Sequence, residues 1–299
     1  MAAQKASLGS SWISVHQRGD AVAIAESVLE LGFSGIQPGP APKDLPLDQL
    51  LELRRSHPFE LGPCLRAAPL MAVEKRLDAG LANSQVNVRA EAIDAVSAVV
   101  QRASALRIDQ ILIEPGRART TLELPSYDVL DPTSDDEDPT LEERIGSARE
   151  AALEQVCRSL HTLSRQHPET TFCLTASRAR DGLGRIEILQ AIFEDLPRCR
   201  LAYWHEAALV AGLEERHGVP QSAWFDALGR YLVGATISDW ADGRVHLPVG
   251  SGRVDVPGVF DALGRGQSGR SAVVELDPEF GPDEARHAAA IVQSYRGPS

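Results

Sequence analysis

Two carboxylates and one imidazole stand where the sequence predicts reactive chemistry. Glu114 and Glu275 each end a short apolar run that predicts a buried strand, and His246 lies in the segment after another such run. A carboxylate at the end of a strand can act as an acid, a base or a metal ligand, and an imidazole can transfer a proton near neutral pH. We therefore predict Glu275, His246 and Glu114 as the catalytic residues.

A second group of side chains could contact a substrate beside these three. They lie at or just beyond predicted strand ends: Trp204, His205, Asp239, Trp240, Thr175, Thr236 and Arg244. Because strand faces alternate, only one of Trp204 and His205 should face the interior. Glu206 could form an acid/base pair with His205, and Asp239 could instead cap a turn.

Structural roles stay open for the three predicted catalytic residues. Glu275 could form an ion pair with an arginine such as Arg244, and Glu114 with an arginine such as Arg66. His246 could equally be a structural histidine that bonds to the loop backbone. The residue types alone do not separate these alternatives from catalysis.

The elements that must position these residues alternate along the whole chain. Eight short apolar runs predict strands near residues 11–15, 35–38, 59–65, 111–114, 171–175, 200–204, 232–238 and 272–276. Helical periodicity separates them, which is typical of parallel strands joined by crossover helices. We predict one (β/α)₈ TIM-barrel domain over residues 1–299, with the strand ends at one mouth. A doubly wound sheet is the alternative, but the glycine-rich fingerprint of that fold is not present.

Composition limits the partners. The 299 residues carry a net charge of −12, which argues against nucleic-acid binding. We expect no membrane association, because no apolar run reaches the roughly 18 residues that span a bilayer. The beginning of the sequence does not resemble a secretory signal, and the four cysteines show no clustered spacing. These features predict a cytoplasmic protein with reduced thiols.

One segment interrupts the alternation. Residues 117–139 contain prolines and the acidic run Asp135, Asp136, Glu137 and Asp138, a composition that cannot form a core. We predict an acidic loop after strand four at the barrel mouth. It is either a solvated surface loop or a lid.

Several segments resemble one family over nearly the whole chain. TISDWADGRVHLPVGSGRVDVPGVFDAL and the later AVVEL are similar to the carboxyl-terminal signature of xylose-isomerase-like barrels. LGFSGIQP and ILIEPG resemble the family's second and fourth strands. This superfamily of sugar phosphate isomerases and epimerases, with a branch of apurinic endonucleases, implies a TIM barrel and divalent metals at its strand ends.

The family's metal ligands are mostly replaced. The nine positions that correspond to ligands are Ala67, Glu114, Thr175, Trp204, Ala207, Thr236, Arg244, His246 and Glu275. Only Glu114, His246 and Glu275 could coordinate a cation. We therefore expect no cofactor, or at most one weakly bound Mn²⁺, Mg²⁺, Zn²⁺ or Co²⁺.

Three functions follow from the resemblance and the residues. The first is a divergent isomerase or epimerase that acts on or binds a small sugar-like molecule. The second is a non-catalytic barrel, a pseudoenzyme that serves as a binding module or as the subunit of a protein partner or homo-oligomer. A nucleic-acid repair enzyme would need three metals and a basic groove, which the sequence lacks.

Overall fold

The computed structural model describes residues 6–17, 19–39, 45–67, 80–118, 139–265 and 270–295. The strands in this part of the chain are β1 Ala6–Gly9, β2 Gly35–Gln37, β3 Glu60–Leu61, β4 Cys64–Arg66, β5 Gln110–Ile113, β6 Thr171–Leu174, β7 Leu201–Glu206, β8 Leu232–Ile237, β9 Asp239–Ala241, β10 Arg244–Leu247 and β11 Ser271–Val274. The helices are α1 Ser10–His16, α2 Ala21–Glu30, α3 Leu47–Leu53, α4 Val86–Ala105, α5 Pro139–Gln166, α6 Ile186–Asp195, α7 Ala207–His217, α8 Gln221–Leu228, α9 Val256–Gly264 and α10 Pro282–Ser294.

Nine of these strands form one parallel sheet in the order β3-β2-β1-β11-β8-β7-β6-β5-β4. Its two outermost strands, β3 and β4, are separated in the chain only by Gly62 and Pro63. β9 and β10 form a separate antiparallel hairpin directly after β8. The α/β class predicted from the alternation is therefore confirmed.

The sheet has two differently packed faces. On the outer face, strand residues such as Leu8, Ile111 and Tyr203 join the helices in the main hydrophobic core. On the inner face, a smaller cluster holds Cys64, Leu112, Cys173, Ala202, Trp204 and Val273. Since strand side chains alternate between faces, the two clusters follow directly from the period-two sequence pattern.

Helix termini follow the local sequence signals. The Asp20 side chain caps α2 by accepting a hydrogen bond from the Ala23 amide at 3.0 Å, as expected of an aspartate at this position. α7 ends at Gly218, whose φ of 69° places it in the left-handed region that favours glycine.

The first predicted strand was wrong. Residues 11–15 lie in helix α1, and β1 lies earlier, where Ser7 pairs with Gly35 of β2 and Val273 of β11. Trp12 and Ile13 are both fully buried although they are adjacent. A run this short does not distinguish a helix from a strand by periodicity.

Most of the predicted acidic loop, residues 117–139, lies outside the described residues, so its role stays a prediction. None of the described helices combines the length and the apolar character needed to cross a membrane.

Candidate functional site

Polar side chains continue the inner face beyond its hydrophobic cluster. Cys64 is followed two residues later by Arg66, Leu112 by Glu114, and Cys173 by Thr175. In the same way, Trp204 is followed two residues later by Glu206, and Val273 by Glu275. A spacing of two keeps these side chains on the inner face, at the carboxyl ends of the parallel strands. We call this end of the inner face, around Arg66, Glu206 and Glu275, the mouth.

An ion pair crosses the mouth. The Arg66 Nη2 atom donates to Glu206 Oε1 in a short contact, and the two side chains are 36% and 9% exposed. Arg66 belongs to β4 and Glu206 to β7, with β5 and β6 between them in the sheet. The sheet must therefore curve around its inner face for these side chains to meet.

Glu275 also acts on Arg66. Burial acts to lower the pKa of the Arg66 guanidinium, but the charges of Glu206 and Glu275 outweigh it and raise that pKa. Glu275 is half-buried beside Gly9 at the end of β1, where an added methyl group would lie 3.5 Å from its Cγ. Below this cluster, burial raises the pKa of the Cys64 thiol well above its usual range and keeps it neutral.

Glu114 lies on the same face but has a different partner. The fully buried Ser177 hydroxyl donates to Glu114 Oε1 in a short contact. The backbone of the following loop packs closely around Ser177. A Cβ atom at Gly182 would lie 1.9 Å from the Ser177 hydroxyl, and one at Gly184 would lie 2.4 Å from the Ser177 amide nitrogen. The predicted pairing of Glu114 with Arg66 is not what the structure has, since Arg66 bonds Glu206.

His246 lies in the hairpin after β8 in an unusual backbone conformation. Its φ is 62°, and the turn of the hairpin at Asp242 and Gly243 also has positive φ values. The His246 carbonyl accepts a hydrogen bond of 2.9 Å from the Asp277 amide, two residues beyond Glu275. Its Nδ1 atom is buried and has no hydrogen-bond partner among the described residues. A strained histidine near a strand end is a candidate for function rather than for stability.

Trp204, Thr236 and Thr175 are buried at the base of the mouth. The Trp204 indole donates to the Thr236 hydroxyl at 2.9 Å, and its ring fills the space above Gly234. Thr175 is 2% exposed at the end of β6. Thr236 therefore already has a protein partner, and Trp204 fills the inside of the sheet instead of contacting solvent.

Four predicted binding residues have their observed partners outside the Arg66, Glu206 and Glu275 cluster. His205 faces the outer layer, where its Nδ1 lies 2.8 Å from the Tyr203 hydroxyl and its ring packs on Phe225. Burial lowers the pKa of His205 to about 3, against a weaker opposing effect of Gln221, so the ring is neutral. The predicted acid/base pair of His205 with Glu206 is not formed because the two side chains lie on opposite faces.

The other three serve the hairpin and its flanking segments. Asp239 accepts backbone N–H bonds of 2.9 Å each from Trp240, Gly250 and Val254. The Trp240 indole donates to Glu215 of α7 at 2.6 Å. Arg244 pairs with the exposed Glu279. The predicted ion pair between Arg244 and Glu275 is therefore not the one that the structure has.

The described residues fit a divalent cation poorly. No three His, Cys, Asp or Glu side chains in this part of the chain come close enough to hold one together. Thr175 and Thr236, which stand at positions where the resemblance implies metal ligands, offer hydroxyls instead of carboxylates or imidazoles. Glu206 is already paired with the Arg66 guanidinium. Hard cations prefer several carboxylate or carbonyl oxygens, and this donor set does not supply them.

The Arg66–Glu206 pair was not predicted: Glu206 was considered only as a partner of His205, and Arg66 only as a partner of Glu114. The sixth strand was predicted to end at Trp204, whereas β7 continues to Glu206. Counting in twos from Trp204 would have placed Glu206 on the inner face, and the same count from Cys64 would have placed Arg66 there.

Solved structures share this fold. A D-tagatose 3-epimerase-like protein matches with a TM-score of 0.66 and 14% identity, over 98% of this chain and 97% of that chain. 3-keto-D-glucoside 4-epimerase from E. coli matches with a TM-score of 0.63 and 12% identity, over 97% and 99%. A putative xylose isomerase from Rhodospirillum rubrum matches with a TM-score of 0.66 and 11% identity, over 98% of both. No family model matches the sequence, and no curated protein is similar to it. The chain therefore shares its fold with these epimerase and isomerase structures.

Proposed function

We propose that this chain is a divergent sugar isomerase/epimerase-like barrel that binds a small, uncharged, polyhydroxylated molecule at its mouth. The observation that carries the proposal is the cluster of Arg66, Glu206 and Glu275 at the carboxyl ends of three strands. Ligands of parallel α/β barrels bind at this end.

We also infer that the sheet closes into a (β/α)₈ barrel. Two observations support closure: Arg66 and Glu206 meet across two intervening strands, and β3 and β4 are separated by only two residues. In this interpretation β3 and β4 are the two halves of the third barrel strand, which bonds to β2 through one half and to β5 through the other.

The chemistry that this cluster could support is proton transfer next to a carbonyl group. In our proposal the Glu275 carboxylate takes a proton from the carbon beside a ketose carbonyl. The Arg66 guanidinium donates N–H bonds to the oxygen on which negative charge develops. If His246 from the neighbouring hairpin returns a proton to the opposite face of the same carbon, the ligand is epimerised. If the Glu275 carboxyl group returns its proton to the former carbonyl carbon, and the neighbouring hydroxyl proton passes to the former carbonyl oxygen, the ligand is isomerised.

Charge argues for a neutral ligand. Among the described residues that continue the inner face, Glu114, Glu206 and Glu275 are carboxylates and Arg66 is a guanidinium. A phosphate group would add negative charge to a region with an excess of negative charge. Hydroxyl groups, in contrast, can donate to carboxylates and accept from Arg66.

A second candidate function is a non-catalytic binding barrel. The observation that favours it is the Arg66–Glu206 pair itself, which holds one carboxylate in a protein contact. Trp204 also fills the space beneath the mouth. In this case the mouth would retain a ligand site while proton transfer has been lost.

Two linked measurements test these proposals. Calorimetric titration with neutral ketoses such as D-tagatose and L-ribulose should detect binding, and their phosphorylated forms should bind more weakly. Proton NMR in D₂O should then detect deuterium at the carbon beside the carbonyl group. Glu275→Gln should reduce this exchange about 100-fold or more, whereas Glu279→Gln, at an exposed carboxylate in the same loop, should not.

Each outcome has a distinct meaning. Binding together with Glu275-dependent exchange supports the isomerase or epimerase, and binding without exchange supports the non-catalytic barrel. Tighter binding of the phosphorylated sugars would contradict the neutral ligand class, and no binding of any sugar would contradict both functions.

A further inference from the structure

The mouth contains a positive charge that belongs to the chain itself. Glu206 is only 9% exposed, and a carboxylate that is so deeply buried needs a compensating charge. Arg66 supplies it from the opposite side of the inner face, and the charge of Glu275 acts on the same guanidinium. One arginine therefore pairs with the carboxylate of Glu206 in β7, and the charge of Glu275 at the end of β11 reaches the same guanidinium.

An arginine in this position differs chemically from a bound ion. The guanidinium keeps its charge at every pH that the protein experiences, and it carries five N–H donors in a fixed plane. It requires no loading, and a divalent cation at the same carboxylates would meet its positive charge at close range. The small number of suitable donor atoms around the mouth, among the described residues, also argues against a divalent cation there.

We propose that the Arg66 guanidinium takes the place of a divalent cation at the mouth, pairing with Glu206 and excluding Mn²⁺ and Mg²⁺ from this carboxylate and from Glu275 at the end of β11. We also expect the same N–H groups to face the ligand, and this expectation alone rests on the proposed function. The exclusion of divalent cations depends on the buried Arg66–Glu206 ion pair and on the charge of Glu275 close to it.

The proposal predicts that removing the guanidinium creates a metal site. Arg66→Met keeps a side chain of similar length without charge, and it leaves Glu206 without its guanidinium partner and Glu275 without the nearby positive charge. Binding of Mn²⁺ can be measured by titration, because the electron paramagnetic resonance signal of the free ion is lost when it binds. The wild-type chain should show no stoichiometric binding. Arg66→Met should bind one equivalent at least about tenfold more tightly than wild type, and Arg66→Met/Glu206→Gln should lose this gain.

The chain offers a matched control. Arg117 pairs with Asp181 at 2.7 Å, and the two side chains are 39% and 10% exposed, close to the values for Arg66 and Glu206. Arg117→Met removes a comparable ion pair that involves neither Glu206 nor Glu275, and it should not gain Mn²⁺ binding. Arg66→Lys keeps a positive charge and should not gain it either.

Three results would overturn the proposal. They are stoichiometric Mn²⁺ binding to the wild-type chain, no gain of binding in folded Arg66→Met, and an equal gain in Arg117→Met. If Arg66→Met does not fold, Arg66→Gln replaces it, because its amide can still donate to Glu206 without carrying charge. The titration contains no sugar, so its failure is distinguishable from a failure of ligand binding.

Discussion

His205 and Glu206 are consecutive in strand β7, yet they lie in opposite environments. Glu206 faces inward and forms an ion pair with Arg66, which reaches it across the mouth. His205 faces outward into the layer of α8, where it contacts Tyr203 and Phe225 and is neutral. The comparison teaches that burial alone does not decide the charge of a side chain. On the inner face the charges of Glu206 and Glu275 raise the pKa of Arg66 despite its burial, whereas on the outer face burial lowers the pKa of His205 and favours the neutral ring.

The largest effect that we expect concerns the packing under the mouth. Trp204→Ala should destabilise the protein by about 3–5 kcal/mol, since it removes a fully buried ring from the inner cluster and leaves a cavity. Urea unfolding would measure the change. Trp204→Phe should cost less, because it keeps most of the volume while losing the bond to Thr236. Equal stability of Trp204→Ala and wild type would contradict the inner packing described above.

The next effect tests the neutral state of His205. Its pKa is about 3 in the folded chain and about 6.5 when unfolded. The unfolded state therefore binds the proton first, so stability is fully present above pH 6.5 and falls as the pH drops towards 3. At pH 4.5 this histidine should reduce stability by about 2–3 kcal/mol relative to pH 7.5.

His205→Asn should remove this part of the acid sensitivity, because an amide does not titrate and still offers an acceptor to Tyr203. Unfolding curves at pH 4.5 and 7.5 would measure it. His161→Asn, at an exposed position on α5, is the control and should leave the pH dependence unchanged. An unaltered difference between the two pH values in His205→Asn would show that the ring is already protonated in the folded state.

The smallest effect should come from Arg244. Its ion pair with Glu279 is exposed on both sides, and water and salt weaken such pairs. Arg244→Ala should leave the melting temperature and any sugar binding unchanged. A loss of sugar binding would instead bring back Arg244 as a binding residue, as the sequence had predicted.

Periodicity predicted most of the fold but not every strand. Strands at 35–38, 111–114 and 171–175 and the long helices lie within a few residues of their predicted positions. The hairpin of β9 and β10 was missed, because β9 follows β8 with only Ser238 between them and has three residues before the turn at Asp242 and Gly243. Such short strands have no periodicity of their own.

The site was harder to predict than the fold. Glu275 and Glu114 were placed on the inner face because each follows a clear strand. The Arg66–Glu206 pair joins residues that are 140 positions apart, and no local pattern reports such a contact. Asp239 and Trp240 were predicted as binding residues from their types, but their partners are backbone amides and Glu215, which only the folded chain brings near.

The hairpin after β8 is held at both of its strands before any ligand arrives. Asp239 ties its start to the backbone at Gly250 and Val254, and the His246 carbonyl ties its second strand to Asp277. A rim that is already ordered loses little conformational entropy when a ligand is captured beside it. Even a few hydrogen bonds from a small polyol should therefore be enough to give measurable affinity.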